Sequence, residues 1–271
     1  MEIIFYVAVF IFGLAIGSFL NCVIYRLEQG KSFLKGRSFC PYCKKVLGFW
    51  DLIPVFSFLF LKGKCRYCGK KISLQYPVVE IITGVLFVLI LNYELRIMNY
   101  EIFDFGNVIN LLFLVLSSSF LILIFVYDLK HYIIPDRVIY PAILIAFFYC
   151  LIKLFYSFSG FNLEMFYSFL SAFGAGLFFF IIVFISKGKW MGIGDIKLAF
   201  FMGLLLGFPN ILAALFFAFL IGAIIGVGLV LLKKKGMKSE VPFGPFLVAG
   251  TFIALFWGSE IINWYWNLII I

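Results

Sequence analysis

The chain has 271 residues, of which 65% are hydrophobic and only 13% charged, with a net charge of +9 and a mean hydropathy of +1.13. Such a balance excludes an ordinary soluble domain. The recurrence of apolar stretches of about 20 residues reads as an all-α polytopic membrane protein. A membrane barrel would need short alternating segments, and none of note occurs.

Eight candidate membrane helices follow in order: 3–25, 78–93, 107–127, 138–157, 166–186, 196–208, 210–232 and 244–258. Glu2, rather than a basic region, precedes the first of them, and no small-x-small cleavage site follows it. It therefore reads as a retained helix and not a cleavable signal. The sixth is short for a full span, carries Gly203 and Gly207, and stops at Pro209. It is expected to be tilted, broken or only partly across.

Basic residues set the orientation. Eleven Lys and Arg fall in 26–77, two in 128–137, three in 187–197 and four in 233–240. The opposite side keeps only Arg96 and Lys153, beside Glu94, Glu101, Asp104 and Glu164. By the positive-inside rule the four basic loops are cytoplasmic and the chain ends outside. Trp257, Trp264, Tyr265 and Trp266 suit an interfacial belt. Topology thus accounts for the positive charge, which calls for no nucleic-acid partner.

The longest polar segment, 26–77, holds two C-x-x-C pairs, Cys40/Cys43 and Cys65/Cys68. Two such pairs resemble a zinc ribbon or knuckle, in which four thiolates complete a tetrahedron around Zn²⁺. Disulfides do not suit a reducing cytoplasm, and an iron–sulfur centre fits a small basic loop less naturally. A closed four-cysteine site leaves no position for catalysis, so the metal is expected to fold the loop. Cys22 and Cys150 lie singly in apolar runs and read as small buried hydrophobes.

Two aspartates remain to be explained. Asp128 ends the third apolar run, and Asp195 lies in Gly192-Ile193-Gly194-Asp195-Ile196-Lys197 ahead of the sixth. A carboxylate at the edge of hydrocarbon is paired, wet or functional. The topology puts both on the cytoplasmic side, where they could share a proton and activate water, the chemistry of an aspartic protease. Gly192 and Gly194 would permit unusual backbone angles and close approach of another chain. Taken alone, Asp195 could simply cap the sixth helix, and Asp136 reads as the N-cap of the fourth. His131 reads as a solvated residue, and Ser117, Ser118 and Ser119 lie mid-helix, which disfavours a serine protease. The competing class is a transporter or assembly platform whose aspartates relay an ion.

With these motifs in hand, the chain resembles the type IV prepilin peptidases, membrane aspartyl proteases of the GxGD group. The resemblance rests on an ordered set: Gly17-Ser18-Phe19-Leu20-Asn21-Cys22-Val23-Ile24-Tyr25-Arg26, the two cysteine knuckles, Asp51-Leu52-Ile53-Pro54, Gln75-Tyr76-Pro77-Val78-Val79-Glu80, both aspartate motifs, and Val241-Pro242-Phe243-Gly244-Pro245-Phe246. One departure is Glu28, where many members carry proline. The resemblance implies that Asp128 and Asp195 are the catalytic pair, with Gly192, Gly194 and Lys197 in the active-site loop. It implies type IV prepilins or pseudopilins as substrates, cut at the cytoplasmic face of a bacterial inner membrane. Members with the long cysteine loop also methylate the new N-terminus with S-adenosylmethionine, so both activities are expected, a protease-only member being the alternative. Gly63, Lys64 and Glu80, beside the loop, are the methyl-transfer candidates. The expected division is a methyltransferase part over 1–93 and a peptidase part over 94–271.

Overall fold

The computed structural model describes residues 2–32, 36–97, 105–156, 163–232 and 241–269. Nine helices form among them: α1 (Glu2–Glu28), α2 (Phe56–Phe60), α3 (Gln75–Ile97), α4 (Phe105–His131), α5 (Asp136–Tyr156), α6 (Leu163–Ser186), α7 (Ile193–Leu206), α8 (Asn210–Leu231) and α9 (Gly244–Ile269). The described residues contain no strand, only isolated bridges. The basic segment 233–240 and the acidic Glu101 and Asp104 lie outside the described residues.

Every expected membrane helix is present, and the short α2 and a 3-10 turn at Phe49–Asp51 are additional. Among the described residues, however, six helices rather than eight are long and apolar enough to cross a membrane: α1, α3, α4, α6, α8 and α9. The described part of α5 carries Asp136, Arg137 and Lys153. α7 has 14 residues, which at 1.5 Å per residue spans about 21 Å against roughly 30 Å of hydrocarbon.

The chain divides into two compact units, Met1–Leu123 and Ile124–Ile271. In the first, α1 lies along α3. Gly13 and Gly17 make the approach close: a Cβ on either would lie 2.7 Å from the Cα of Gly84 or of Glu80. Small residues at such a crossing let the backbones pack directly, which is how helices associate where no hydrophobic drive acts between them.

In the second unit α7 is the central helix, packed by α5, α6 and α9. Leu198, Ala199, Phe201 and Met202 are fully buried, as befits a helix that is apolar on all sides. Gly203 sets its Cα against the Ala172 backbone of α6. The helix ends on Gly207, at a φ of +65°, whose N–H donates to the Gly203 carbonyl; a left-handed residue there is a common C-terminal stop. α8 and α9 pair through Gly250, which rests on Ala214 and Ala218.

Candidate active site and metal centre

Asp128 lies in the last turn of α4 and is 4% exposed. The helix ends just beyond it, where the Tyr132 N–H donates to the Asp128 carbonyl and Tyr132 turns to a φ of +59°. A carboxylate here opposes the dipole of its own helix and finds free carbonyls around it rather than free amides. Its donor comes from elsewhere: the Gly244 N–H, at the start of α9.

Asp195 stands in the first turn of α7 and is 7% exposed. Its Oδ2 accepts the Gly192 N–H at 3.1 Å, while its own N–H donates to the Gly192 carbonyl at 3.2 Å. The negative charge therefore sits where the α7 dipole favours it. Both carboxyls belong to the second unit, and the Asp128 charge acts on Asp195.

The two motif glycines serve differently from the sequence expectation. Neither has a positive φ; Gly192, at φ −84° and ψ 158°, is extended backbone that any residue adopts. Close approach is real at Gly194, where a Cβ would lie 3.0 Å from the Ile134 Cβ. Ile134 is buried in the turn after Asp128, so Gly194 lets the two aspartate segments meet. Lys197 bonds Asp136 at 2.6 Å and lies 4.7 Å from the centre of the Tyr140 ring. Asp136 accordingly is not the N-cap of α5. It is the first helical residue, and the Pro135 carbonyl accepts the Val138 and Ile139 amides. His131 is exposed and lies tilted against the Tyr127 ring, while the Ser118 and Ser119 hydroxyls both donate back to the Val115 carbonyl.

In the first unit Cys40, Cys43, Cys65 and Cys68 converge, their four Sγ atoms all within 4.8 Å of one another. The Cys40 and Cys68 sulfurs are 3.9 Å apart. A Zn–S bond of 2.3 Å implies tetrahedral S–S edges of about 3.8 Å, so the donor set fits Zn²⁺. The two knuckles repeat one plan. Cys40 N–H donates to Lys45 O, and Lys44 closes the turn at a φ of +59°; Cys65 N–H donates to Lys70 O, and Gly69 closes it at +69°. Each knuckle's lysine covers the other's tyrosine, Lys45 on Tyr67 at 4.3 Å and Lys70 on Tyr42 at 4.8 Å. Asp51 adds a tie, accepting from the Gly48 N–H, Arg66 Nε and the Tyr67 hydroxyl.

Of the three methyl-transfer candidates, Gly63 and Lys64 open the second knuckle. Gly63 has a φ of +66°, its carbonyl accepts the Ile72 N–H, and Lys64 is exposed. Glu80 is separate from them in α3, 6% exposed, accepting from the Val55 N–H at 2.8 Å and from the Ser18 hydroxyl. Asn21 extends this polar cluster, donating to Tyr76 O and accepting from Gln75. Reading by motif overlooks Ser18, Asn21 and Gln75 as partners. The signal for Ser18 and Asn21 is two polar residues spaced three apart toward the end of an apolar helix, whereas Gln75 opens α3.

Comparison with known proteins identifies the family. Residues 11–93 match the bacterial Peptidase A24 N-terminal domain, and residues 113–227 match the type IV leader peptidase family. Proteins called prepilin leader peptidase/N-methyltransferase are similar over nearly their whole length. That of Bacillus subtilis is 35% identical over 94% of this chain and 96% of the relative, and that of Legionella pneumophila 34% over 96% and 94%. The Aeromonas hydrophila protein is 29% identical over 97% and 94%. No solved structure matches. The chain belongs to the type IV leader peptidase family, a multi-pass membrane protein of a bacterial kind.

Proposed function

We propose that the protein is a membrane aspartic endopeptidase that removes the basic leader from type IV prepilins or pseudopilins and then methylates the new N-terminus. One observation carries the peptidase reading: two buried carboxyls within one unit, each held by a glycine amide at the start of a helix. Ionised at Asp128 or Asp195, the pair takes a proton from water. The neutral partner donates to the scissile carbonyl oxygen, and the tetrahedral adduct collapses as the leaving nitrogen is protonated. The proton belongs to the pair rather than to one member. Gly192 and Gly194 shape the loop beside this pair. Lys197, neutralised by Asp136, fixes the start of α7 rather than meeting the leader.

The concentration of Lys and Arg in the loops supports a site at the cytoplasmic face of the inner membrane. They do not attract a basic leader, so recognition falls to the mature apolar segment and its backbone. Methylation belongs to the part over 1–93, the remainder being peptidase. S-adenosylmethionine, when bound, supplies an electrophilic methyl on a sulfonium cation. Glu80 is the candidate that combines burial with negative charge, which suits a sulfonium or an amine, while Gly63 and Lys64 set the adjoining loop. Cys40, Cys43, Cys65 and Cys68 would hold a structural Zn²⁺.

The test is cleavage of a prepilin in proteoliposomes, followed by intact mass. Asp128→Asn and Asp195→Asn should each lower the rate by at least ~10³-fold with normal insertion, since each removes half of the acid–base pair. Normal processing by either variant sinks the dyad. With S-adenosylmethionine, the wild-type product should gain 14 Da, roughly one methyl in place of hydrogen. Glu80→Gln should lose that gain while still cutting.

A further inference from the structure

So far Gly244 enters only through its N–H, yet its surroundings are unusual for a helix-start glycine. A Cβ there would lie 2.5 Å from Asp128 Oδ2, 3.1 Å from its Cγ and 3.5 Å from its Cβ. The carboxyl thus rests on the bare Cα, and any side chain must displace it. Backbone conformation does not demand glycine here, because Gly244 is not at positive φ. What demands it is Asp128.

The start of α9 is built to aim one amide. Its first-turn N–H groups have no helical acceptors of their own. Pro245 has no N–H, and the Phe246 and Leu247 amides turn back to the Phe243 carbonyl at 3.0 and 3.2 Å. The Gly244 N–H is left to point at Asp128. Phe243 anchors this start, its ring centre 6.0 Å from that of Phe179 and 5.1 Å from that of Phe219. The arrangement repeats that of Asp195 with Gly192, except that Asp195 takes its amide from its own helix start and Asp128 must borrow one.

We propose that Gly244 is a positioning residue for cleavage, its N–H and absent side chain fixing the Asp128 carboxyl in the geometry in which it meets Asp195. This rests on the reading of Asp128 as catalytic. Gly244→Ala adds a methyl that moves the carboxyl by a sizeable fraction of an ångström, and misplacement by 1 Å costs roughly 100-fold in rate.

Gly250→Ala is the control. It lies on the same helix, about 9 Å further along, and its Cβ would collide with Ala214 and Ala218 instead. Gly244→Ala should lower kcat for prepilin cleavage at least ~10-fold with KM unchanged within about twofold. Its methylation of a pre-cut pilin should match wild type. Gly250→Ala should lower thermal stability and yield, with kcat per folded molecule retained. Should Gly244→Ala fail to accumulate, the Asp128→Ala background decides, because removing the carboxyl makes room for the methyl. Gly244→Ala should then be tolerated in Asp128→Ala but not in wild type, whereas Gly250→Ala should be equally harmful in both. Wild-type kcat in Gly244→Ala, or equal loss of stability in both backgrounds, overturns the proposal. Normal cleavage by Asp128→Asn would instead overturn the reading beneath it.

Discussion

The cysteine loop and the aspartate site are built by opposite means. In the loop, each cysteine pair comes from one tight turn, and the parts that hold the turns together all belong to the same loop: Lys44 and Gly69 at positive φ, lysines on tyrosines, Asp51 on Arg66. At the aspartates almost nothing is local except the Gly192–Asp195 bond. Asp128 depends on an amide from α9, and Gly194 depends on Ile134 beyond the end of α4. A site outside the membrane can be closed by a metal and side chains. A site among apolar helices has few polar side chains to spare, so backbone amides and missing Cβ atoms do the positioning.

The sharpest way to break this contrast is to remove the metal centre. Purified protein should carry about one zinc per chain, and Cys40→Ser with Cys65→Ser should lose it. The loop should then become protease-sensitive, because metal binding at such a site would supply its folding free energy, on the order of 10 kcal/mol. Methylation should disappear while cleavage by the second unit persists, as read from product mass. Loss of cleavage in step with zinc would show that the two regions are one device.

Sequence legibility follows the same divide. Cys40, Cys43, Cys65 and Cys68 are readable because their spacing is their geometry, and they do converge. All eight long helices are readable from hydropathy, yet among the described residues two of them, α5 and α7, fall outside the set able to span; α7 has only 14 residues, and its apolar side chains are buried by neighbouring helices. Asp128 and Asp195 stand out by the expense of their burial. Lys197 shows only as a charge near a motif; its bond to Asp136 joins residues from two helices and has no one-dimensional signature. Gly244 is visible as part of a motif, but nothing in the chain order says whose carboxyl needs its bare Cα.

Within the aspartate site, the two motif glycines should separate. Gly194→Ala pushes a Cβ to 3.0 Å from the Ile134 Cβ, and such overpacking costs roughly 1–3 kcal/mol. Since the shift falls on the segment carrying Asp195, cleavage should drop by about tenfold or more. At Gly192 an added Cβ meets only ordinary contacts, 3.8 Å from the Gly194 nitrogen and 3.9 Å from Asp195 Oδ2. Gly192→Ala should stay within about twofold of wild-type kcat/KM, since its φ already suits alanine. Equal losses at both positions would mean that Gly192 is needed for something other than its amide, such as room for substrate.

The smallest effect belongs to the loop's side-chain tie. Burial raises the Asp51 carboxyl, but the Gly48 amide, Arg66 and Tyr67 together hold it below its ordinary value. The resulting stability is present above the unfolded carboxylate pKa near 4, and is lost as pH falls through the lower folded value. Because the Arg66 side chain is half exposed, solvent screens much of the pair. Asp51→Asn should therefore weaken the loop at neutral pH by only about 1 kcal/mol, chiefly through the Gly48 amide. The readout is zinc release to a chelator at pH 7, expected to quicken about fivefold, with Arg66→Ala doing less because it leaves the Gly48 bond intact. Were Asp51→Asn to abolish zinc retention outright, Asp51 would rank beside the cysteines, and the loop would depend on a single contact as heavily as Asp128 depends on Gly244.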